Sequence, residues 1–223
     1  MKLSQFTSNV LKNFSTINSN LVINAGSTLK TMSESKTIMS MATVPEIFTG
    51  TIGIYDLNEF LSTINMFDDA DIVISGDMKY STISEGNKSV KYFFSEPSIL
   101  TSPQKDITMP PCEITFSVTA TDMASIRKAA SALGVTDLVV DTTSGKLVLR
   151  VTNTSDTTSN SFEITQDVDV SVTAKCVFNI SNFKFIVDDY DVCISSRLIS
   201  NFKSKNNPIE YWVALEKTST FGG

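Results

Sequence analysis

The sequence predicts an α+β fold of two similar domains, each with two helices packed on a mostly antiparallel sheet. Three observations lead to this prediction. An acidic motif followed by a strand-like segment occurs twice. The same order of helical and alternating segments occurs in both halves of the chain. A proline-rich stretch separates these halves.

The repeat consists of three segments that recur in order. Residues 68–75 read Asp-Asp-Ala-Asp-Ile-Val-Ile-Ser, and residues 188–195 read Asp-Asp-Tyr-Asp-Val-Cys-Ile-Ser, an offset of 120 residues. Two further pairs have nearly the same offset: residues 90–94 with 209–213, and residues 20–23 with 137–140. A β-rich chain can produce similar apolar segments by chance, but the common order and spacing favour a duplication.

The first half of the chain reads as helix, strands, helix and strands. Apolar residues recur at helical spacing within residues 4–17, and Ser4 can cap the N-terminus of this helix. A second helix begins at Asp56 and carries Glu59 at the capping-box position. Alternating segments predict strands at 20–24, 28–32, 37–42, 51–55, 71–75, 79–84 and 89–95. The first three of these strands are expected to form an antiparallel meander.

The second half repeats this plan after a connector. Residues 96–111 hold four of the six prolines and show neither helical nor strand periodicity, so they predict an extended connector between domains at 1–95 and 112–223. Helices are expected at 122–133 and from Ser181, where Phe183, Ile186 and Val187 would be buried. Strands are expected at 113–119, 137–141, 146–153, 161–165, 175–180, 191–195, 198–203 and 209–216.

Composition describes an ordinary globular chain. Of 223 residues, 41% are hydrophobic and 19% charged, and the net charge is −6. No apolar run approaches the roughly 20 residues that span a bilayer, and the N-terminus turns polar at once, so neither a membrane protein nor secretion is expected. Cys112, Cys176 and Cys193 lie far apart without a Cys-x-x-Cys pair. We interpret them as reduced thiols, as expected in a cytoplasmic protein.

Histidine is absent from the chain, which removes the commonest general base and metal ligand. The two acidic runs could be imagined as paired acids or as a site for a hard metal ion. However, neither run is followed by the glycine and closing glutamate of an EF-hand loop, and no glycine-rich phosphate loop is present. We therefore expect solvated turns, no cofactor and no enzymatic activity.

The helices carry the few cations that suggest a partner. Lys12 lies on the outward face of the first helix, Arg127 and Lys128 are expected to project from the third, and Lys184 from the fourth. The second helix offers Glu59 and no base. Scattered lysines on solvated faces are the ordinary interpretation. If the helices of several chains line one surface, however, these cations would form a sparse positive field that attracts phosphates without reading bases.

The chain resembles the sliding clamps, the DNA polymerase processivity factors, of T-even-type bacteriophages. The resemblance rests on residues 1–4, 11–14 and 16–19, on Ile-Tyr-Asp-Leu-Asn at 54–58, on the spacing of prolines in the connector, and on Tyr-Trp-Val-Ala-Leu-Glu at 211–216. It implies the DNA clamp fold and a ring of three chains whose helices face a hole around duplex DNA. It also implies a pocket near the connector for the tails of the replicative polymerase and of the ATP-dependent clamp loader, in the cytoplasm of an infected bacterium.

Two sets of site residues follow from this resemblance. Sequence-independent phosphate contacts are expected from Lys12, Arg127, Lys128 and Lys184. An apolar patch for a partner's terminal peptide is expected from Ile99, Leu100, Ile107, Met109 and Leu215, although these side chains could equally pack on the second half. The main alternative function is a β-rich phage tail or capsid protein, and the matched helices of the two halves argue against it.

Overall fold

The structure, a computed structural model, describes residues 1–222. It contains two compact units, Met1–Asp106 and Ile107–Gly223, and their boundary falls inside the predicted connector. The predicted α+β fold is confirmed, with few helices on antiparallel sheets. Among the described residues, no helix is both long and apolar enough to cross a membrane.

The first unit contains two α-helices and seven strands. The elements are α1 Gln5–Ile17, β1 Leu21–Ile23, β2 Gly26–Met32, β3 Ile38–Phe48, β4 Ile52–Ile54, α2 Leu57–Ile64, β5 Asp71–Ile74, β6 Tyr80–Glu85 and β7 Lys88–Phe93, followed by a 3-10 turn, Pro97–Ile99. β2 pairs with β3, but β1 pairs with β4, so the predicted meander of the first three strands is wrong. Leu21 lies opposite Ile54, and all three residues of each strand are buried.

Helix α1 begins where the sequence predicts it. The Ser4 hydroxyl accepts a hydrogen bond from the Thr7 amide at 3.1 Å and so satisfies one of the free amides of the first turn. The Glu46 carboxylate of β3 accepts hydrogen bonds from the Ser4 amide and the Thr7 hydroxyl. Val10 and Phe14 are fully buried, so the opposite face of α1 remains for solvent or a ligand.

Strands β5, β6 and β7 form an antiparallel sheet of their own. One face is buried through Ile72 and Ile83, and the other carries exposed side chains. On that outer face, Phe93 lies opposite Tyr80, and the Lys91 ammonium lies 3.7 Å from the centre of the Tyr80 ring. β7 is the edge strand of this sheet within the part of the chain that the structure describes.

The second unit has one α-helix and two antiparallel sheets. The elements are β8 Ile114–Val118, α3 Ala120–Leu133, β9 Asp137–Asp141, β10 Lys146–Thr152, β11 Phe162–Asp169, β12 Ala174–Asn179, β13 Tyr190–Ser195, β14 Ile199–Ser204, β15 Ile209–Ala214 and β16 Thr220–Phe221. One sheet has the order β11-β10-β9-β12-β16, with β11 at its edge, and the other contains β15-β14-β13-β8.

The predicted fourth α-helix does not form, so the second unit does not have two α-helices. The segment contains a 3-10 turn, Ile180–Asn182, and then an irregular stretch that is neither helix nor strand. Phe183 and Phe185 are both buried, whereas Val187 is 79% exposed. Two residues spaced by two do not share one face of a helix, so a helix could not bury both aromatic side chains. The Phe185 ring stacks on Tyr211 with a centroid distance of 4.5 Å, which holds the segment in place.

The expectation of three reduced cysteines is also wrong for two of them. Cys112 and Cys193 form a disulfide with a Cα–Cα distance of 5.7 Å, although 81 residues separate them in sequence. β8 pairs with β13, and the Glu113 amide donates to the Ile194 carbonyl, which brings the two cysteines together. The remaining thiol, Cys176, is buried, and this burial raises its pKa to about 12.

Candidate nucleic-acid interface and partner surface

The outward face of α1 is polar and carries a single cation. Lys12 is exposed, and the neighbouring Gln5 and Asn9 side chains are hydrogen-bonded to each other at 3.0 Å. A cavity of about 210 Å³ between α1 and the α2–β5 turn includes Lys12 and also Lys2, which the sequence analysis missed. Lys2 forms an ion pair with Asp69, and this hydrogen bond raises the pKa of Lys2. Only proximity in the fold, not a sequence motif, identifies Lys2.

The two basic residues of helix α3 differ in their exposure to solvent. Lys128 is exposed, as predicted. Arg127 does not project from the helix: burial lowers the pKa of its guanidinium, which donates to the Phe185 carbonyl at 3.5 Å, while its buried Nε has no hydrogen-bond partner. Arg127 follows the buried Met123 by four residues, so both lie on the same side of the helix. The expectation that Arg127 faces outward is therefore wrong.

Lys184 is exposed but does not lie on a helix. It lies between the buried Phe183 and Phe185 on the irregular stretch that replaces the predicted fourth helix. Helix α2 carries Glu59 in its first turn and no basic residue, as the sequence indicates. The exposed cations among the four predicted ones are therefore Lys12, Lys128 and Lys184.

The five residues predicted to form an apolar patch differ in exposure. Ile99 is 71% exposed, and Ile107 and Met109 are partly exposed. Leu100 and Leu215 are 8% and 6% exposed, so both are core residues and the prediction that they receive a peptide is wrong. Leu100 is buried because it packs at Gly53, where an added Cβ would lie 3.0 Å from a Leu100 methyl carbon.

The two acidic runs build turns. Asp188 is 6% exposed, and its carboxylate accepts hydrogen bonds from the Ser204 hydroxyl and from the side-chain amides of Asn206 and Asn207. In the first unit, Asp68 is exposed, and its backbone amide donates to Glu85. Among residues 1–222, no group of three acidic or cysteine side chains is arranged to hold a metal ion.

Comparison with known proteins identifies the family. Residues 115–217 match the family model described as gp45 sliding clamp, C terminal. Over 97% of its length the chain is 30% identical to the sliding clamp of Vibrio phage KVP40, and the match spans 99% of that protein. The chain belongs to the sliding-clamp family. The sliding clamp of Enterobacteria phage T4 is 27% identical over 99% of both chains.

Solved clamp structures have the same fold at lower identity. Archaeal PCNA from A. fulgidus, solved with the C-terminal region of FEN-1, superimposes with a TM-score of 0.71 and 13% identity, covering 99% of this chain and 100% of PCNA. The DNA polymerase III β subunit of Pseudomonas aeruginosa gives a TM-score of 0.65 at 10% identity and covers 94% of this clamp. This clamp spans 62% of the length of that β subunit.

The predicted resemblance and function are thus confirmed. The chain is a processivity clamp for DNA polymerase, and the alternative of a phage tail or capsid protein is not supported. Lys12, Lys128 and Lys184 are exposed and remain predicted DNA contacts.

Proposed function

We propose that three copies of this clamp close into a ring around duplex DNA and tether the replicative polymerase without catalysing a reaction. An ATP-dependent loader would open the ring, and the clamp would act in the cytoplasm of an infected bacterium. The observation that best supports this proposal is the full-length similarity to phage sliding clamps. The proposal adds to this similarity the number of chains in the ring, the loader, the contact residues and the location.

The proposed ring closes through two edge strands, β7 of one chain and β11 of the next. Each is the edge of its sheet, and an edge strand offers unpaired backbone groups to a neighbour. Because the two strands belong to different units, their contact is heterologous and generates a ring if the rotation between chains closes. Such pairing would also remove two edges that could otherwise aggregate.

The side chains on these edges are complementary. On the outer face, β7 carries Lys91 and Phe93, and Phe93 is 65% exposed. β11 carries Glu163 and Asp167, which form exposed ion pairs with Arg150 and Lys146 of the neighbouring β10, together with Val168, which is 39% exposed. Opposite charges that flank apolar contacts favour one register of pairing between neighbouring chains.

The exposed cations are proposed to contact DNA phosphates. We expect the double variant Lys12→Glu with Lys128→Glu to reduce clamp-dependent processivity about tenfold near 0.1 M salt, because each lost phosphate contact weakens a salt-dependent attraction. Primer extension at several salt concentrations measures this effect, and light scattering checks that the ring mass is unchanged. The control is Lys36→Glu with Lys217→Glu, which makes the same charge change at exposed positions elsewhere. Equal processivity of the two double variants would refute the DNA contacts.

The exposed connector residues Ile99, Ile107 and Met109 are proposed to receive a partner's terminal peptide. We expect Ile107→Glu to reduce polymerase stimulation by more than tenfold, since a carboxylate is costly to bury in an apolar contact. Polymerase binding and primer extension give the readout. Val187→Glu is the matched control, because Val187 is apolar, 79% exposed and distant from the connector in sequence. An Ile107→Glu clamp with normal polymerase binding would exclude this patch.

A further inference from the structure

The first unit contains a polar cavity of about 470 Å³ that the proposed contacts do not use. It lies between the β1–β2 turn and the second part of the connector. Its lining offers amide, hydroxyl and ammonium groups, chiefly from Asn24, Thr28, Lys30, Ser102, Gln104 and Lys105. With two lysines and one aspartate, Asp106, the cavity carries a positive balance within an acidic chain.

Lys30 and Asp106 form an ion pair in the lining of this cavity. The Lys30 side chain is 30% exposed, whereas that of Asp106 is 73% exposed. Lys30 is thus the more buried member of the pair, and the carboxylate of Asp106 is mostly exposed to solvent. A pair with one highly exposed member is worth about 0–1 kcal/mol. A second carboxylate can therefore compete with Asp106 for Lys30 at little cost.

The start of the connector is anchored to the core of the first unit. The Ser95 amide donates to the Gly53 carbonyl at 2.8 Å, and Leu100 packs at Gly53. Residues 101–106 form neither helix nor strand, and Gln104 makes only local hydrogen bonds to Ser102 among those that the structure describes. Release of Asp106 from Lys30 would therefore leave the packed core of the first unit intact.

We propose that this cavity binds a carboxylate of an acidic segment of a partner protein, with Lys30 exchanging Asp106 for the incoming group. Lys105 supplies a second positive charge, and Asn24 and Gln104 can bond the peptide backbone of that segment. The volume of the cavity is several times that of a phosphate ion, and its lining contains no arginine. Both features favour an extended peptide as the ligand. This site goes beyond the proposed function, since its polar surface is distinct from the apolar connector residues Ile107 and Met109.

Two variants should change peptide binding in opposite directions. The probe is a fluorescein-labelled peptide of alternating glutamate and glycine, titrated with the full-length clamp and followed by fluorescence anisotropy. Asp106→Asn removes the internal competitor and should strengthen binding about fivefold, whereas Lys30→Gln should weaken it at least tenfold. Lys36→Gln, an exposed lysine of the same unit outside the cavity, should have no effect.

The outcomes separate this site from general attraction to acidic groups. Binding that Lys36→Gln weakens as much as Lys30→Gln, or that Asp106→Asn fails to strengthen, would overturn the proposal. A peptide with glutamine in place of glutamate should not bind. Competition by inorganic phosphate as effective per molecule as the glutamate peptide would identify a simple anion site and reject the peptide. Asp106→Ser provides a second test of competitor removal, and thermal unfolding verifies that each variant folds.

Discussion

A Phe93→Asp clamp is expected to have the mass of a single chain in light scattering at micromolar concentration, whereas the proposed ring of the wild type would have the mass of about three. Burial of a phenylalanine side chain contributes about 1.5–3 kcal/mol, and the proposed ring contains this contact in each of its interfaces. The substitution also places a carboxylate beside the acidic β11 edge. Because a monomer cannot encircle DNA, clamp-dependent processive synthesis should be lost with it.

A charge exchange tests whether β7 meets β11 in particular. Lys91→Glu should lower the trimer fraction. Adding Asp167→Lys in the same chain should restore it, because the side chain of Asp167, although it pairs with Lys146, is 91% exposed and can re-pair across the proposed interface. Lys79→Glu changes the same charge at an exposed position next to the β5–β6 turn and should leave the mass unchanged. If Asp167→Lys gives no recovery, β11 is not the partner of β7.

Asp188→Ala is expected to lower the free energy of unfolding by about 3 kcal/mol, since it leaves the Ser204 hydroxyl and two asparagine amides without their acceptor. Urea denaturation at pH 7 measures the loss. Asp68→Ala is the matched control from the other copy of the acidic motif. Because Asp68 is exposed, its substitution should change stability by no more than about 0.5 kcal/mol. Equal effects of the two substitutions would contradict the role assigned to Asp188.

Acidification provides an independent readout for Asp188. Burial alone would raise the pKa of its carboxyl, but hydrogen bonds from Ser204, Asn207 and Asn206 outweigh burial and lower it. A lowered pKa in the folded state stabilises the fold above the ordinary value of 3.8, and the contribution disappears as pH falls through the folded value. The stability difference between wild type and Asp188→Ala should therefore shrink below about pH 4.

Sequence periodicity predicted most helices and strands because amphipathic patterns reflect burial directly. Helix α1, with its Ser4 cap and buried Phe14, follows from local pattern alone. The predictions that are wrong concern features that depend on contacts between distant segments. β1 pairs with β4 rather than with its neighbour β2, and the segment after Ser181 packs Phe183 and Phe185 inward from an irregular backbone. A short apolar run shows neither which strand it will pair with nor whether it will form a helix.

The site residues were harder to predict for the same reason. A charged side chain was assumed to face solvent, but Arg127 lies beside the buried stripe of α3 and packs toward Phe185. Leu100 and Leu215 were correctly recognised as apolar, but only the fold distinguishes a core leucine from one that receives a ligand. Lys30 and Asp106, which are 76 residues apart, form their ion pair only through the path of the connector.

The inward packing of Arg127 limits the kind of contact that α3 can make with a DNA phosphate. An arginine can hold a phosphate through two parallel hydrogen bonds in a fixed direction, whereas a lysine acts as a mobile point charge. With Arg127 packed toward the protein interior and Lys128 exposed, the contact that we propose between α3 and DNA is non-directional. The free energy of a clamp that holds DNA through such contacts varies little from one base pair to the next, so friction against translation along the duplex is low.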